Sequence, residues 1–314
     1  MHELKTNIHS CIRGHSIFNQ KPSKLENMRR REFINKSLTL GAMSMLAPSV
    51  LASSKSQVTP INRKDDISIA QWALVNEIRQ GKWKTLDFPK VAREDFGING
   101  IEFVNTLFEV PHVRYLNQLK QNAEDHGVEM VLIMVDAEGE PCSADKKQRE
   151  QFAVNHRKWI DIAHYLGCHS IRTNCRGQES YSNDDALKWA AESYNMLLEY
   201  AVPANVGVVI ENHGGFSDDA DWMVSLIEKV DNLYFGSYPD WRNPDVEYDN
   251  VEYVRKMTPY AKGMSYRNQP TEEQSAEMIK MVKDLGYSGW FGIESSGRDG
   301  IRKGKEILTK YLNL

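Results

Sequence analysis

The chain has 314 residues, 41% apolar, 10% aromatic and 26% charged, with 20 Gly, 11 Pro and 4 Cys, proportions that argue against a disordered, coiled-coil or collagen-like chain. The formal net charge of −4 speaks against a general affinity for nucleic-acid phosphates. Four cysteines without close pairing build neither a disulfide framework nor a zinc ribbon, and no apolar run in the body of the chain is long enough to span a bilayer.

Met28-Arg29-Arg30-Arg31-Glu32-Phe33-Ile34-Asn35-Lys36 is a basic region, followed by the mildly apolar Ser37–Ala47 and by small residues around Val50-Leu51-Ala52. Basic, apolar, then small is the order of a cleavable export signal. Arg30-Arg31 with Phe33-Ile34 and Lys36 resembles the twin-arginine type. Residues 1–52 are therefore expected to be a twin-arginine signal region, with Met28 the initiator and 1–27 an upstream start artefact. The competing reading is an amphipathic N-terminal helix. Export implies a periplasmic location and the twin-arginine export machinery as a partner. No cysteine follows the apolar stretch, so no stable membrane anchor is expected. Without residues 1–52, the chain keeps 31 basic and 40 acidic side chains, a net charge of −9, on 262 residues. That length is close to the roughly 250 residues of one (β/α)₈ barrel. Cys142, Cys168 and Cys175 remain, an odd number expected to serve buried packing.

After a short linker over 53–64, apolar or β-branched runs alternate with helical spacing to the C-terminus. Strands are expected at Ile67–Trp72, Ile101–Val104, Val128–Val135, Ser170–Thr173, Val206–Ile210, Leu233–Ser237, Ala261–Ser265 and Trp290–Ile293. Between them, apolar residues recur at spacings of three and four, as in Val113, Leu116, Leu119 and in Met278, Ile279, Val282, Leu285. Glycines before several strands, among them Gly127 and Gly167, suit helix C-caps. Eight strand–helix units need parallel pairing and close into a single α/β (β/α)₈ TIM barrel over 65–314. The rival, an open doubly wound sheet, calls for a glycine-rich phosphate turn, and the chain has no G-x-G-x-x-G or Walker sequence.

In such a barrel the C-terminal strand ends face the active site. Those ends carry Gln71 and Trp72, Glu102 and Asn105, Asp136, Arg172 and Asn174, Glu211 and His213, Asp240, Ser265 to Arg267, and Glu294. Glu211, Asp240 and Glu294 each end an apolar run. Three converging carboxylates repel one another unless a divalent cation neutralises them or some stay protonated. Oxygen-rich ligation suits Mn²⁺, Mg²⁺ or Co²⁺ better than a thiolate-loving ion. Asp218, Asp219 and Asp221 are expected to open a helix and complement its dipole. Asp136, Glu138 and Glu140 are expected in a solvated loop.

Glu211-Asn212-His213-Gly214-Gly215, Gly236-Ser237-Tyr238-Pro239-Asp240-Trp241 and Gly289-Trp290-Phe291-Gly292-Ile293-Glu294 resemble the xylose isomerase-like (β/α)₈ superfamily. The group of exported sugar phosphate isomerase/epimerase-like proteins is the most similar, and it is matched also by Ile69–Trp72, Asp87-Phe88-Pro89 and Gly100–Asn105. The resemblance implies a divalent metal ion (Mn, Mg, Co or Zn) held by Glu211, Asp240 and Glu294, with Glu211 and Glu294 moving protons. It also implies a small-molecule carbohydrate substrate. A metal beside a carbonyl acidifies the neighbouring C–H, because the enediolate charge forms next to the cation. The chain departs from the epimerase pattern at strand seven. A histidine ligand is expected there, and Gly263-Met264-Ser265-Tyr266-Arg267-Asn268 has none. Arg267, a fixed positive charge, is better suited to grip an anionic or keto oxygen than to ligate a cation.

His213, two residues beyond Glu211, faces the same side in an extended segment. It reads as a substrate-binding, ligating or acid/base group, or as a buried loop histidine. Arg172 reads as a substrate contact or a partner of barrel carboxylates. Trp72 and Trp241 read as stacking surfaces for a sugar or as packing. The expected activity is a metal-dependent isomerase or epimerase of a sugar or sugar derivative. Alternatives are a lyase cleaving an oxidised (3-keto) glycoside by β-elimination and a non-catalytic sugar-binding protein. Abasic-site endonucleases share the barrel and an Asn- and Gly-containing turn like Glu211–Gly215, but the acidic charge argues against a nucleic-acid partner.

Overall fold

Alternation within each strand divides its side chains between two layers. Ile67 and Ile69, Ile101 and Phe103, Ile171, Val208 and Ile210, Phe291 and Ile293 belong to one large buried cluster that also takes in the apolar faces of the helices. Ala70, Val104, Val131, Leu132, Met134, Val209, Tyr238 and Trp290 form a second, smaller cluster, Val131 and Leu132 both entering it where the register between the second and third strands shifts. The large cluster is the sheet–helix layer. The small one fills the lumen of a barrel.

The computed structural model describes residues 65–242 and 248–314; the expected signal region and linker lie outside the described residues. The strands are β1 (Asp66–Ala70), β2 (Gly100–Val104), β3 (Glu129–Met134), β4 (Ser170–Thr173), β5 (Gly207–Ile210), β6 (Phe235–Ser237), β7 (Met264–Tyr266) and β8 (Trp290–Ile293). They form one all-parallel sheet in the order β6-β5-β4-β3-β2-β1-β8-β7. Two isolated parallel bridges, Ser237 with Ala261 and Asp240 with Ser265, join β6 to β7 and close the ring. This is the expected (β/α)₈ architecture. The sixth strand begins at Phe235 rather than Leu233 because Leu233 is exposed and lies before the sheet pairing. The seventh begins at Met264 rather than Ala261, which only bridges.

The main helices are Val113–His126, Lys146–Leu166, Asn183–Ala201, Ala220–Val230, Asn250–Met257, Glu272–Asp284 and Gly297–Leu312. Short helical turns connect β1 to β2. Gly127 and Gly167 are left-handed C-caps, as their positions predict. Asp219 caps Ala220–Val230, accepting from the amides of Asp221 and Trp222, and Asp218 accepts from Gly214 N at 2.8 Å. These acids are structural, as expected. Among the described residues no helix is long and apolar enough to cross a membrane.

Glu102 shows how the lumen fixes its own glycines. Its carboxylate accepts from Ser68 Oγ at 2.7 Å and from the Tyr238 hydroxyl. A Cβ added at Gly292 on the facing strand would strike that carboxylate, so only glycine admits the close approach.

Candidate functional site

Each strand delivers its last inward side chain to the same end of the lumen. The β4–β5 register sets Arg172 beside Val209, so Glu211, two residues on, points the same way. Arg172 Nε lies 2.8 Å from Glu211 Oε2, and Arg172 Nη1 lies 2.7 Å from Asp136 Oδ1. Asn174 Nδ2 also donates to Asp136 Oδ1, at 2.8 Å. Asp240 follows β6 and is held by Asn212, whose Oδ1 accepts from Asp240 N at 2.7 Å while its Nδ2 donates to Asp240 O at 3.1 Å.

Arg267, directly after β7, spans the other two acids. Its Nε donates to Asp240 Oδ1 at 2.7 Å, and its Nη2 lies 3.0 Å from Glu294 Oε1. Ser265 Oγ donates to Glu294 Oε2 at 2.7 Å and approaches Asp240 Oδ1 at 3.4 Å. Arg242 Nε stands 3.6 Å from Asp240 Oδ2. The three expected carboxylates thus converge, with three guanidinium groups among them.

The low dielectric of the site moves its titrations. Burial pushes Glu211 up to about 8; Arg172 opposes the shift, and the charges of Glu294 and Asp240 add to it. Burial also raises Glu294, against the pull of Arg267. Glu102 is pushed up to about 7 by burial, partly offset by its bonds from Tyr238 and Ser68. For Asp136, burial is outweighed by Arg172, which holds the carboxyl below its ordinary value. His213 is half-buried, and burial plus the charges of Arg172, Arg176 and Arg242 depress it. Its Nδ1 contacts the Arg176 guanidinium, which has no lone pair to offer. Nδ1 is therefore the acceptor, and the neutral ring carries its proton on Nε2.

Two expectations are corrected here. Trp241 is 0% exposed and packs against Tyr266 and Phe291 in the sheet–helix layer; it has no face open to a sugar. Trp72 is half-buried against the lumen cluster, with the Arg79 guanidinium 5.6 Å from its ring centre. It is the aromatic of the pair that borders the lumen. Nor is the Asp136–Glu140 segment a solvated run. Asp136 anchors Arg172, Glu138 accepts from Trp159 Nε1 at 2.7 Å, and Glu140 accepts from Cys142 N at 3.1 Å. Asn212 and Arg242 belong to the site beyond the strand-end residues named from sequence, and Asp136 and Ser265, named there without a role, prove to hold Arg172 and Glu294. Asp136 was findable, since it stands two residues beyond the last residue of β3.

A divalent cation takes carboxylate oxygens at about 2.0–2.6 Å in place of other partners. Here five of the six oxygens of Glu211, Asp240 and Glu294 already face a guanidinium or a hydroxyl. As they lie, these residues do not fit a metal centre. Among the described residues, the cluster whose ligand atoms come close enough to share an ion is Glu140, Cys142 and Cys175. Its sulfurs are 3.3 Å apart, inside the sheet–helix layer.

No curated protein matches the chain. Solved structures do. A D-tagatose 3-epimerase-like protein superposes with a TM-score of 0.64 at 17% identity, over 79% of this chain and 97% of that one. A 3-keto-D-glucoside 4-epimerase from E. coli gives 0.59 at 15%, over 80% and 100%. The IOLI protein, solved with a bound zinc atom, gives 0.61 at 11%, over 79% and 98%. At such identities these likenesses speak for the fold. The xylose isomerase-like TIM barrel family model matches residues 91–311, most of the described barrel, and the chain belongs to that family.

Proposed function

We propose that the chain is an isomerase or epimerase of a sugar or sugar derivative that removes a proton next to a carbonyl through an enediolate. One observation carries the reading: Glu211 is a buried carboxyl at the mouth, set among fixed positive charges, with one oxygen unclaimed. Its Oε2 faces Arg172, and no partner engages Oε1 among the described residues. Both oxygens of Glu294, by contrast, are engaged by Arg267 and Ser265.

Glu211 Oε1 takes the proton from the carbon beside the carbonyl. The C–H electron pair becomes the C=C bond, and the carbonyl π pair moves onto oxygen. Guanidinium N–H groups preorganised at that oxygen stabilise the charge as it forms. Return of a proton to the same carbon from the opposite face, with Glu294 as donor, inverts the centre; return to the former carbonyl carbon, as the neighbouring hydroxyl passes its proton to the former carbonyl oxygen, isomerises the sugar. Trp72 offers an apolar surface for C–H faces of the ring. Epimerases among the structural neighbours agree with this class.

β-Elimination from a 3-keto-glycoside begins with the same proton transfer. The neutral His213, with its proton on Nε2, can give a hydrogen bond to a leaving oxygen. The two readings differ in their products, one of unchanged mass and one of two fragments.

The experiment is solvent deuterium incorporation into ketoses and keto-glycosides, read by NMR and mass spectrometry. Wild type should label the carbon beside the carbonyl, and Glu211→Gln should abolish labelling while the circular dichroism stays native. Labelling unchanged in Glu211→Gln rejects the mechanism. We also propose export to the periplasm with removal of residues 1–52; mature protein confined to the cytoplasm would reject the export, and a periplasmic form beginning at Met1 would reject the removal.

A further inference from the structure

We infer that the guanidinium of Arg267 stands in the place of a divalent cation, so that this barrel handles its carbonyl substrate without a metal. The electrophilic role given to Arg267 rests on the carbonyl chemistry proposed above; its displacement of a cation does not.

The geometry leaves a cation nowhere to sit. Arg267 lies between Asp240 and Glu294, binding one through Nε and the other through Nη2, at 2.7 and 3.0 Å. A guanidinium keeps its charge at any pH the fold survives, so it does not yield the acids by losing a proton. Its position is fixed by backbone rather than by a flexible loop. Ser265 N donates to Pro239 O at 3.0 Å, Trp241 N to Ser265 O at 2.9 Å, and Glu294 N to Tyr266 O at 2.9 Å. Gln269 Nε2 then donates to the Arg267 carbonyl at 3.0 Å. Ser265 occupies the remaining Glu294 oxygen, and Arg172 and Arg242 neutralise Glu211 and Asp240 from the other side.

What a cation supplies to an enediolate, Arg267 supplies as hydrogen bonds. Its side chain is 28% exposed, and its Nη1 has only the Glu294 carbonyl, at 3.3 Å. Nη N–H groups are therefore left for a substrate carbonyl oxygen, in the planar fork that suits two adjacent oxygens. The absent strand-seven histidine has the same cause: a ligand there has nothing to bind once the guanidinium fills the cradle.

Mn²⁺ is the right probe, because an oxygen-loving ion avoids the dithiol at Cys142 and Cys175 that zinc would find. Titrated with Mn²⁺ and followed by its electron paramagnetic resonance signal, the wild-type protein should leave the free-ion signal undiminished into the high micromolar range. Elemental analysis of protein purified without chelator should find no stoichiometric Mn or Co. Arg267→Ala, freeing the acids, should bind one Mn²⁺ at least about tenfold more tightly than wild type, and Asp240→Ala in that background should abolish the gain. One equivalent of Mn²⁺ held by wild type and lost in Asp240→Ala overturns the inference. So does a folded Arg267→Ala that still ignores Mn²⁺. Should that variant misfold, the wild-type titration decides alone. These readouts need no substrate, so a failure of the sugar reading leaves them standing.

Discussion

Arg172 Nε and Glu211 Oε2 lie 2.8 Å apart at the floor of the mouth, each side chain 1% exposed, yet the two atoms are not aligned for a hydrogen bond. Charge is matched while the directional bond is missing. Glu211 thus keeps a cation beside it without surrendering the proton affinity that burial gives it. A collinear, bidentate pair would hold the carboxylate ionised and inert.

Removing one member of this pair strands the other. Arg172→Met leaves both Asp136 and Glu211 without their cation, and urea unfolding should show a loss of roughly 3–5 kcal/mol. Adding Glu211→Gln to it should return part of that loss. A single variant as stable as wild type would show that the pair contributes nothing to folding.

Two buried groups away from each other set opposite pH slopes. Glu102 titrates near 7 in the fold against 4.5 ordinarily, burial being the main cause and Ser68 and Tyr238 opposing it. The folded state therefore holds the extra proton, and stability present below pH 4.5 is lost as pH rises towards 7, by about 3 kcal/mol. Glu294 and Arg172 are the charged groups acting on it. Glu102→Gln should abolish that slope. Its stability relative to wild type must grow between pH 4.5 and 7, and a constant difference counts against the assignment.

His156 works the other way. Burial depresses it to about 4 from 6.5, against the Phe152 carbonyl and Glu138, with Lys158 adding to the shift. The unfolded chain takes up the proton first, so stability present above pH 6.5 is lost as pH falls towards 4, again by about 3 kcal/mol. His156→Gln should lose less stability on acidification over that window than wild type does, as urea midpoints at several pH values will show.

The two tryptophans should separate cleanly. Trp241→Ala opens a cavity in the sheet–helix layer and should cost roughly 3–5 kcal/mol. Trp72→Ala, at a half-buried site, should cost less and should raise KM for any sugar that labels. Equal stability losses with no change in KM would remove Trp72 from the substrate surface.

Cys142, Cys168 and Cys175 are all buried, and burial pushes the thiols of Cys168 and Cys175 upward. A thiol-specific disulfide reagent should find none of the three in the native protein at neutral pH, and all three after denaturation. Rapid native reaction at any of them would place a reactive thiol where packing alone is expected.

The strands were legible because short apolar runs alternate eight times with helical spacing, which leaves few topologies; β6 and β7 start later than expected where pairing, not hydrophobicity, begins a strand, and β1 stops at Ala70 because Gln71 and Trp72 enter a short helical turn. The acids at the ends of β5, β6 and β8 were legible for the same reason. Trp241 was misread because it follows Asp240: neighbours along an extended segment point to opposite faces, so an inward Asp240 sends Trp241 outward. Asp136 was obscured by Glu138 and Glu140, which imitate a solvated run. The partners chosen by Arg172, Arg242 and Arg267 depend on rotamers across three strands, and no spacing in one dimension encodes those.

The ring of strands is closed between β6 and β7 by two isolated bridges, one of them Asp240 with Ser265. The seam of the cylinder and its charged mouth are thus one structure. Amide protons along that joint, at Trp241 and Ser265, should exchange with solvent sooner than those of β1 to β5, since less ladder holds them. A molecule bound across Asp240, Arg267 and Glu294 would clamp the seam shut, so occupancy of the mouth and integrity of the whole cylinder are thermodynamically linked.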